Sequence, residues 1–479
     1  MTSPYLSASH LAGLLGDATA ARPAYRGLAD AIRLLVADGR VLHGTRLPSE
    51  RELTVALGVS RTTVARAYTA LRDQGYLTSR RGSGSVVTVP GGPQPGTSGL
   101  LSPSDRSDDV IDLTCAAPMA PQGVLAAYEA ALQELPRHLC GTGYHPGGLP
   151  ELREELAARY SARGVATDPA QIIVTSGALA GSAVTATALV GQGDRVIAES
   201  PGYPNALATF RRAGARLVGV PVESSSGDVE GFRSAVSRVP AVAALLVPDF
   251  QNPTGRLMPD EHRAGLAHAL RRAGTVPVVD ETLVDVGLDP VPPTRPFAAF
   301  DRRTVTIGGA SKSHWGGLRI GWLRVPRSQV GRFTAARITL DLGAPVLEQV
   351  VLRHLLQQGQ DVVEARRDEL RLQRAALTHA LAEQLPDWRF AVPPGGFALW
   401  CELPEPLSTA LVAAAEHEGV LLAPGSAFAV DGRGLERHLR IPYAQRPEVL
   451  VDAVTRIARA WERARRQRSR RSTRRPVVA

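Results

Sequence analysis

The chain has 479 residues, 44% of them hydrophobic and 21% charged, with a formal net charge of +9. That length carries two or three domains with separate cores, while apolar runs such as Val242–Val247 fall far short of the roughly 20 residues that span a bilayer. No basic-then-apolar leader opens the chain, and its three scattered cysteines, Cys115, Cys140 and Cys401, match neither a disulfide framework nor a metal pair; a soluble cytoplasmic protein with ordinary buried thiols and no metal is expected.

The charge is uneven. Residues 22–89 sum to +6 and residues 456–479 to +9, which leaves the remainder at −6. A basic head and a basic tail on a slightly acidic body point to a polyanionic partner at one or both ends.

Four elements are expected in the head, 22–89. In "RGLADAIRLLVAD" Leu28, Ile32, Leu35 and Val36 share one helical face. "SERELTVAL" opens with Ser49 and Glu52 in capping-box spacing. After the turn "GVS", Ser60 caps "RTTVARAYTALRDQG", whose inner stripe is Val64, Ala67, Tyr68 and Leu71 and whose C-cap is Gly75. "YLTSRRGSGSVVTV" then alternates around Gly82 and Gly84, as a hairpin does. Two helices joined by a short Gly-containing turn make a helix-turn-helix, which leaves Arg61, Thr62, Thr63 and Arg66 at the exposed start of the groove-entering helix.

Residues 90–109 are rich in Pro, Gly, Ser and Asp and read as a linker. Its ends lie ~25 Å apart if flexible and ~60 Å apart as polyproline II. From 110 to 460, β-branched runs ("IIVTSG", "RVIAES", "ALLVPDF", "VPVVDET", "TVTIGGASK") alternate with helical stretches, the pattern of a largely parallel sheet with helices on both faces. From about 345 helices dominate, with a few strands, as in a smaller α+β unit. The Arg-rich stretch 461–479 is expected to be a solvated, disordered tail, with a phosphate-binding arm as the other reading.

Lys312 is the only lysine; the other 54 basic residues are arginine. Arginine stays protonated in a protein, whereas a desolvated lysine can lose its proton, and only a neutral amine attacks an aldehyde. Around this lysine the sequence offers further pieces of one site. Ser311 precedes it, and Arg319 follows within reach of a phosphate. Ser176, Gly177 and Ala178 turn from a strand into a helix, aiming backbone N–H groups at an anion. Asp280 closes a buried strand at the edge where open α/β sheets bind ligands. Asn252 sits on a Pro-rich turn, and Tyr203 follows another strand.

The head resembles the winged-helix domain of GntR-family bacterial regulators. That resemblance implies DNA contacts by Arg51, Ser60, Arg61, Thr62 and Thr63, with Arg46 on phosphate, Ser49 beside the operator, and Arg81 and Gly82 at a wing tip entering the minor groove. Residues 110–460, through "YHPGGLPELREELA", "SGALAG", "SPGYP", "QNPTG", "DE", "SK", "PPGGF" and "HLRIPY", resemble fold type I class I/II aminotransferases. This implies pyridoxal 5'-phosphate in Schiff-base linkage to Lys312. Asp280 would hold its pyridine nitrogen, Asn252 its phenolic oxygen, Tyr203 its ring, and Ser176, Gly177, Ala178, Ser311 and Arg319 its phosphate. Arg440 would bind a substrate or effector carboxylate, and Tyr144 would reach a partner's phosphate in a homodimer. Two departures stand out: Thr282 and Leu283 occupy positions where the family carries a tyrosine, and Gly309 stands where many relatives carry serine. Head and body together resemble the MocR subfamily of regulators. The resemblance implies a cofactor-dependent transcription regulator that binds a double-stranded operator and senses a small amine, an amino acid or the cofactor itself. The alternative is a working aminotransferase with an accessory DNA-binding domain.

Overall fold

The structure is a computed structural model and describes residues 5–16, 18–37, 40–41, 44–80, 84–88, 110–121, 123–222, 229–358 and 360–473. Arg81, Gly82 and the linker expected at 90–109 lie outside these residues.

The head begins earlier than expected. Helix α1 (Ala8–Leu15) is capped by Ser7 and buries Leu11 and Leu15 in the same core as α2 (Ala24–Ala37), α3 (Glu50–Leu57) and α4 (Arg61–Asp73). The predicted stripes are inside: Leu28, Ile32, Val64, Ala67 and Leu71 have no exposed surface. Burying each of the leucine, isoleucine and valine side chains contributes about 1.5–3 kcal/mol. The capping box closes α3, with the Ser49 amide donating to the Glu52 carboxylate at 2.8 Å and the Glu52 amide to Ser49 Oγ at 3.3 Å. At the turn between α3 and α4, Gly58 takes the left-handed conformation, φ 64°, which costs glycine little. Strands β1 (Leu77–Arg80) and β2 (Gly84–Val87) pair antiparallel as the wing stem, Leu77 opposite Val87.

In the body, β3 (Ile111–Asp112) is followed by a seven-stranded sheet. Its members are β4 (Ile172–Thr175), β5 (Arg195–Ser200), β6 (Arg216–Pro221), β7 (Ala243–Leu246), β8 (Val276–Asp280), β9 (Val305–Gly309) and β10 (Gly321–Arg324). The order is β4-β10-β9-β8-β7-β5-β6; only β10 runs antiparallel to its neighbours. Inner strands such as β7 and β9 are buried almost throughout because helices cover both faces.

The smaller unit holds β11 (Ala398–Glu402), β12 (Val420–Leu421), β13 (Ala423–Pro424) and β14 (His438–Pro442), with β11, β14 and β13 antiparallel. Its boundary is not where the sequence draws it. Strand β3, at the start of the body, pairs parallel with β12, Ile111 opposite Val420, so the chain enters through the small unit, crosses to the large sheet and returns.

The tail corrects the expectation of a disordered end after 460. The last helix runs Pro447–Thr473. Trp461 packs edge-on against Trp388, ring centroids 5.5 Å apart, and Ala464 is 1% exposed in the small unit's core. Helix membership there is decided by this packing and not by composition.

Candidate cofactor site and nucleic-acid face

The body's cavity opens at the C-terminal ends of the parallel strands, where free backbone groups and helix N-termini face the same way. Strand β4 ends at Thr175 and turns through Ser176 and Gly177 into the Ala178–Leu189 helix, whose N-terminus has no side-chain cap. Its first N–H groups and its dipole are therefore available to an anion. Arg319 stands against this terminus, one guanidinium nitrogen donating to the Ser176 carbonyl at 3.2 Å. Gly177 has φ 96°, and a Cβ there would meet the Arg319 guanidinium at 2.6 Å; only glycine lets the arginine lie across the turn. A Cβ on Gly321 would strike the Ala178 amide nitrogen at 2.5 Å. Gly309, noted as a departure, is pressed likewise: its Cβ would lie 3.2 Å from the Ala178 Cβ and 3.5 Å from the Thr282 methyl.

Asp280 ends β8, and Lys312 sits on the turn after β9. Thr282 gives Asp280 a specific partner: its amide and hydroxyl both donate to Asp280 Oδ1, at 2.8 and 2.6 Å. Among the described residues the other carboxylate oxygen makes no hydrogen bond. Burial pushes the Asp280 carboxyl up from its usual range, and the Thr282 bonds and nearby Lys312 oppose that rise. Burial pushes the Lys312 ammonium down, Arg440 adds to the shift, and Cys115 and Asp280 oppose it. The neutral amine is thereby made more accessible. Lys312 Nζ donates to the Ala116 carbonyl and lies 5.5 Å from the Phe397 ring centroid. Ala116, Phe250, Asn252, Leu283, Lys312 and Phe397 are among the residues lining the cavity. Leu283 gives that wall an apolar surface with no hydroxyl.

Arg440 on β14 is 2% exposed and held by the Thr114 carbonyl, by Asn252 Oδ1 at 3.5 Å, and over the Phe428 ring at 4.9 Å. Its Nε has no partner, and among the described residues it makes no ion pair. Burial pulls this guanidinium down to about 10, against Tyr203, Cys115 and Asp112. A buried cation so placed is stabilised by any carboxylate that enters. Tyr203 is half-buried at the start of the Pro204–Arg212 helix; burial raises its phenol and Arg440 opposes the rise. Ser311 is half-buried beside Lys312, and no hydrogen bond of its side chain ties it to the others among the described residues.

Sequence reasoning passed over three features. The first is Cys115: it is half-buried and interacts with Lys312, Arg440 and Tyr203, whereas Cys401 is buried and Cys140 exposed. The expectation of three ordinary buried thiols therefore holds for one. The second is Gln251, 2% exposed, whose amide donates to the Pro201 carbonyl at 2.8 Å while its oxygen accepts from the Thr254 amide at 3.0 Å and hydroxyl at 2.7 Å. It fastens the loop bearing Tyr203 to the turn bearing Asn252. The third is Glu199 at the end of β5, which accepts from the Val247 amide at 3.1 Å and Gln251 at 3.4 Å; burial pushes its carboxyl up to about 8. A glutamine before an asparagine and a glutamate ending a strand carry no signal until the two loops are seen together.

The head presents a different surface. Ser60 caps α4 by accepting from the Thr63 amide at 3.1 Å, and its hydroxyl pairs with that of Thr63 at 2.8 Å. Arg51, Arg61, Thr62 and Arg66 are exposed. Arg66 lies 5.6 Å from the Tyr25 ring centroid. Arg46 is exposed beside the wing: a Cβ on Gly84 would meet its Nε at 2.9 Å.

Two folds define the class: a winged helix-turn-helix domain joined to a fold type I aminotransferase body. Residues 24–87 match the model for bacterial regulatory proteins of the gntR family, and residues 109–457 match aminotransferase class I and II. The chain belongs to the class I and II aminotransferase family, with the gntR-family head that marks the MocR-type regulators. It is 30% identical over 405 residues to the probable rhizopine catabolism regulatory protein MocR of Rhizobium meliloti, covering 78% of this chain and 80% of that protein. It is 29% identical to the HTH-type pyridoxine biosynthesis transcriptional regulator PdxR of Corynebacterium glutamicum, over 79% of this chain and 84% of that one. Among solved structures, LysN, the alpha-aminoadipate aminotransferase of Thermus thermophilus, superposes with TM-score 0.66 at 27% identity, covering 75% of this chain and 94% of that one; it is complexed with N-(5'-phosphopyridoxyl)-L-leucine. Aminotransferases of this family depend on pyridoxal phosphate. No helix among the described residues is long and apolar enough to cross a membrane.

Proposed function

We propose that this chain is a pyridoxal phosphate-dependent, DNA-binding transcription regulator whose body senses a small amine or amino acid, or the cofactor itself, at Lys312. The observation that supports the reading is that Lys312, which lines the cavity, interacts with buried Asp280, whose partner Thr282 adjoins Gly309 beside the uncapped helix N-terminus that Arg319 crosses. The set fits the cofactor's chemistry. The N–H groups at Gly177 and Ala178 with Arg319 would hold the phosphate; Asp280, with one oxygen occupied by Thr282, would hold a proton on the pyridine nitrogen; Asn252 would donate to the phenolic oxygen; Tyr203 would lie on the ring. Bound, the cofactor supplies an aldehyde and an electron sink. Lys312 is the chain's own amine for that aldehyde, and an incoming amine competes with it. Arg440 would take the effector's carboxylate. With Thr282 and Leu283 where a tyrosine is usual, the phenolic oxygen has one donor fewer, which favours sensing over turnover.

In the head, Arg61, Thr62, Thr63 and Arg66 would read the major groove, Arg46, Ser49, Arg51 and Ser60 would fix the helix on the backbone, and Arg81 and Gly82 would enter the minor groove. The reading includes a homodimer. The Val124–Glu134 helix and the turn after it present Leu125 and Leu139 at 73% and 70% exposure, and Tyr144 is 65% exposed. A second copy would cover them, with paired operator half-sites as the consequence.

The deciding experiment is borohydride reduction of the purified holoprotein followed by peptide mapping, with transamination assayed against a panel of amino donors. A reduced adduct on Lys312 with negligible turnover is expected. An adduct elsewhere overturns the site, and sustained turnover at enzyme-like rates turns the reading to an aminotransferase with an accessory DNA-binding domain.

A further inference from the structure

Apart from Lys312, the walls of the cavity are largely apolar: Ala116, Phe250, Leu283, Phe397 and Ala398 line it. Its polar side chains are Gln251, Asn252 and Lys312; among the described residues no acid lines it, and Lys312 is its only cation. Gln251 is engaged within the protein, its amide donating to the Pro201 carbonyl and its oxygen accepting from Thr254. Phe250 is held against its own backbone preference. Its φ is 49°, in the left-handed region that a bulky aromatic seldom adopts, and it is 4% exposed. Gly287 and Gly395 bridge antiparallel, and a Cβ on either would meet the Phe250 ring, at 3.1 and 2.5 Å. Backbone in such a region persists where the surroundings over-determine it, and these positions cluster at ligand clamps. Two glycines that make room and one constrained phenylalanine thus build an apolar wall beside the lysine.

We infer that the effector is an α-amino acid with an uncharged, apolar side chain, seated against Phe250, Leu283 and Phe397. The inference rests on the regulator reading, in which Lys312 and Arg440 are the fixed points for amine and carboxylate. Lys312 Nζ lies 5.5 Å from the Phe397 ring centroid, so the carbon that bears a competing amine enters beside that ring. The exchange balances: the incoming nitrogen bonds to the aldehyde carbon, the Lys312 nitrogen leaves it, and two protons pass from the incoming ammonium to the lysine. Arg440, 2% exposed, lies 3.5 Å from Asn252 Oδ1, and Asn252 lines the cavity. With the amine at Lys312 and the carboxylate on Arg440, the side chain is left to the apolar walls. A charged end on it would be desolvated, a penalty that a cavity with no acid and no second cation does not offset.

The test loads the full chain with pyridoxal phosphate and titrates it with L-norleucine, L-glutamate, L-lysine and pentylamine, following the visible absorption band. Norleucine should bind about tenfold or more tightly than each of the others. Glutamate and lysine carry a charge into the cavity, and pentylamine is norleucine without its carboxylate. Leu283→Ala should weaken norleucine by about tenfold but L-alanine, whose side chain is a single methyl, by less than about twofold. Leu283→Val, a smaller change to the packing, should show the same split to a lesser degree. Glutamate or lysine binding as tightly as norleucine overturns the apolar side chain, and pentylamine doing so overturns the amino acid. Equal weakening of norleucine and alanine in both variants overturns the placement against Leu283. If none of the four ligands alters a band that borohydride fixes to Lys312, the inference fails while the cofactor reading stands. If the loaded protein shows no such band, the cofactor reading itself fails and the inference with it.

Discussion

The head and the body both place a helix N-terminus and arginines where an anion would come, yet they treat that terminus in opposite ways. In α4, Ser60 takes the Thr63 amide, and Arg61, Thr62 and Arg66 stand in solvent. In the body, the Ala178–Leu189 helix is left uncapped, and Lys312, Asp280 and Arg440 are desolvated, with Lys312 interacting with both of the others. The contrast matches the ligands each surface suits. A duplex is a large polyanion met by exposed charge, so binding is tuned by salt. A small phosphate ester in a cavity is met by fixed N–H groups and shifted pKa values, so binding is tuned by proton occupancy and geometry. A perturbation of one surface should therefore leave the other's readout intact.

The largest expected break is Lys312→Ala. It should abolish the visible absorption band of the cofactor-loaded protein while leaving DNA affinity in a gel-shift assay within about twofold; an unchanged spectrum would remove the lysine from the site. Arg61→Ala should do the reverse. It is expected to weaken specific DNA binding by about 1–3 kcal/mol, roughly tenfold to a hundredfold, with the cofactor band unaltered. Ser49→Ala tests the head's scaffold as well as one proposed backbone contact. Losing the capping box should lower the head's stability by about 1 kcal/mol, seen as an earlier unfolding transition with the body's transition in place.

A further effect concerns pH and the body alone. Glu199 has its carboxyl raised from 4.5 to about 8 in the folded state. The folded protein thus binds a proton that the unfolded chain has released, and stability from this group falls as pH rises between those values. In Glu199→Gln that part of the decline should vanish, measured as a flatter melting temperature across pH 5–8, because glutamine can still accept from Val247 and Gln251.

Much of this contrast was legible in the residues. The stripe of α4 and the Ser49–Glu52 box are local patterns, set within a few residues by helix geometry and capping chemistry, and both are as read. Lys312 stood out as the only lysine, Asp280 as the end of a buried strand, Asn252 by its Pro-rich turn and Arg319 by its spacing from the lysine. Thr282 was read only as a missing tyrosine; its hydroxyl bond to Asp280 becomes apparent when the turn after β8 is seen folded back. Cys115 and Gln251 gave no warning, since their neighbours in space are distant in sequence. The tail was misjudged for the same reason: its arginines look unfoldable until Trp388 is found beside Trp461.

Local chemistry, by itself, determined which side chains are available and which turns and caps present them: one lysine for an aldehyde, glycines where an arginine must lie close, serines that start helices. The tertiary structure decided what converges. Thr114 reaches Arg440 across 326 positions and Lys312 reaches Ala116 across 196, because β3 leaves the start of the body to pair with β12 in the small unit. Burial and the pKa shifts that follow are properties of that convergence. They depend on what surrounds a group in three dimensions, which no run of neighbouring residues specifies.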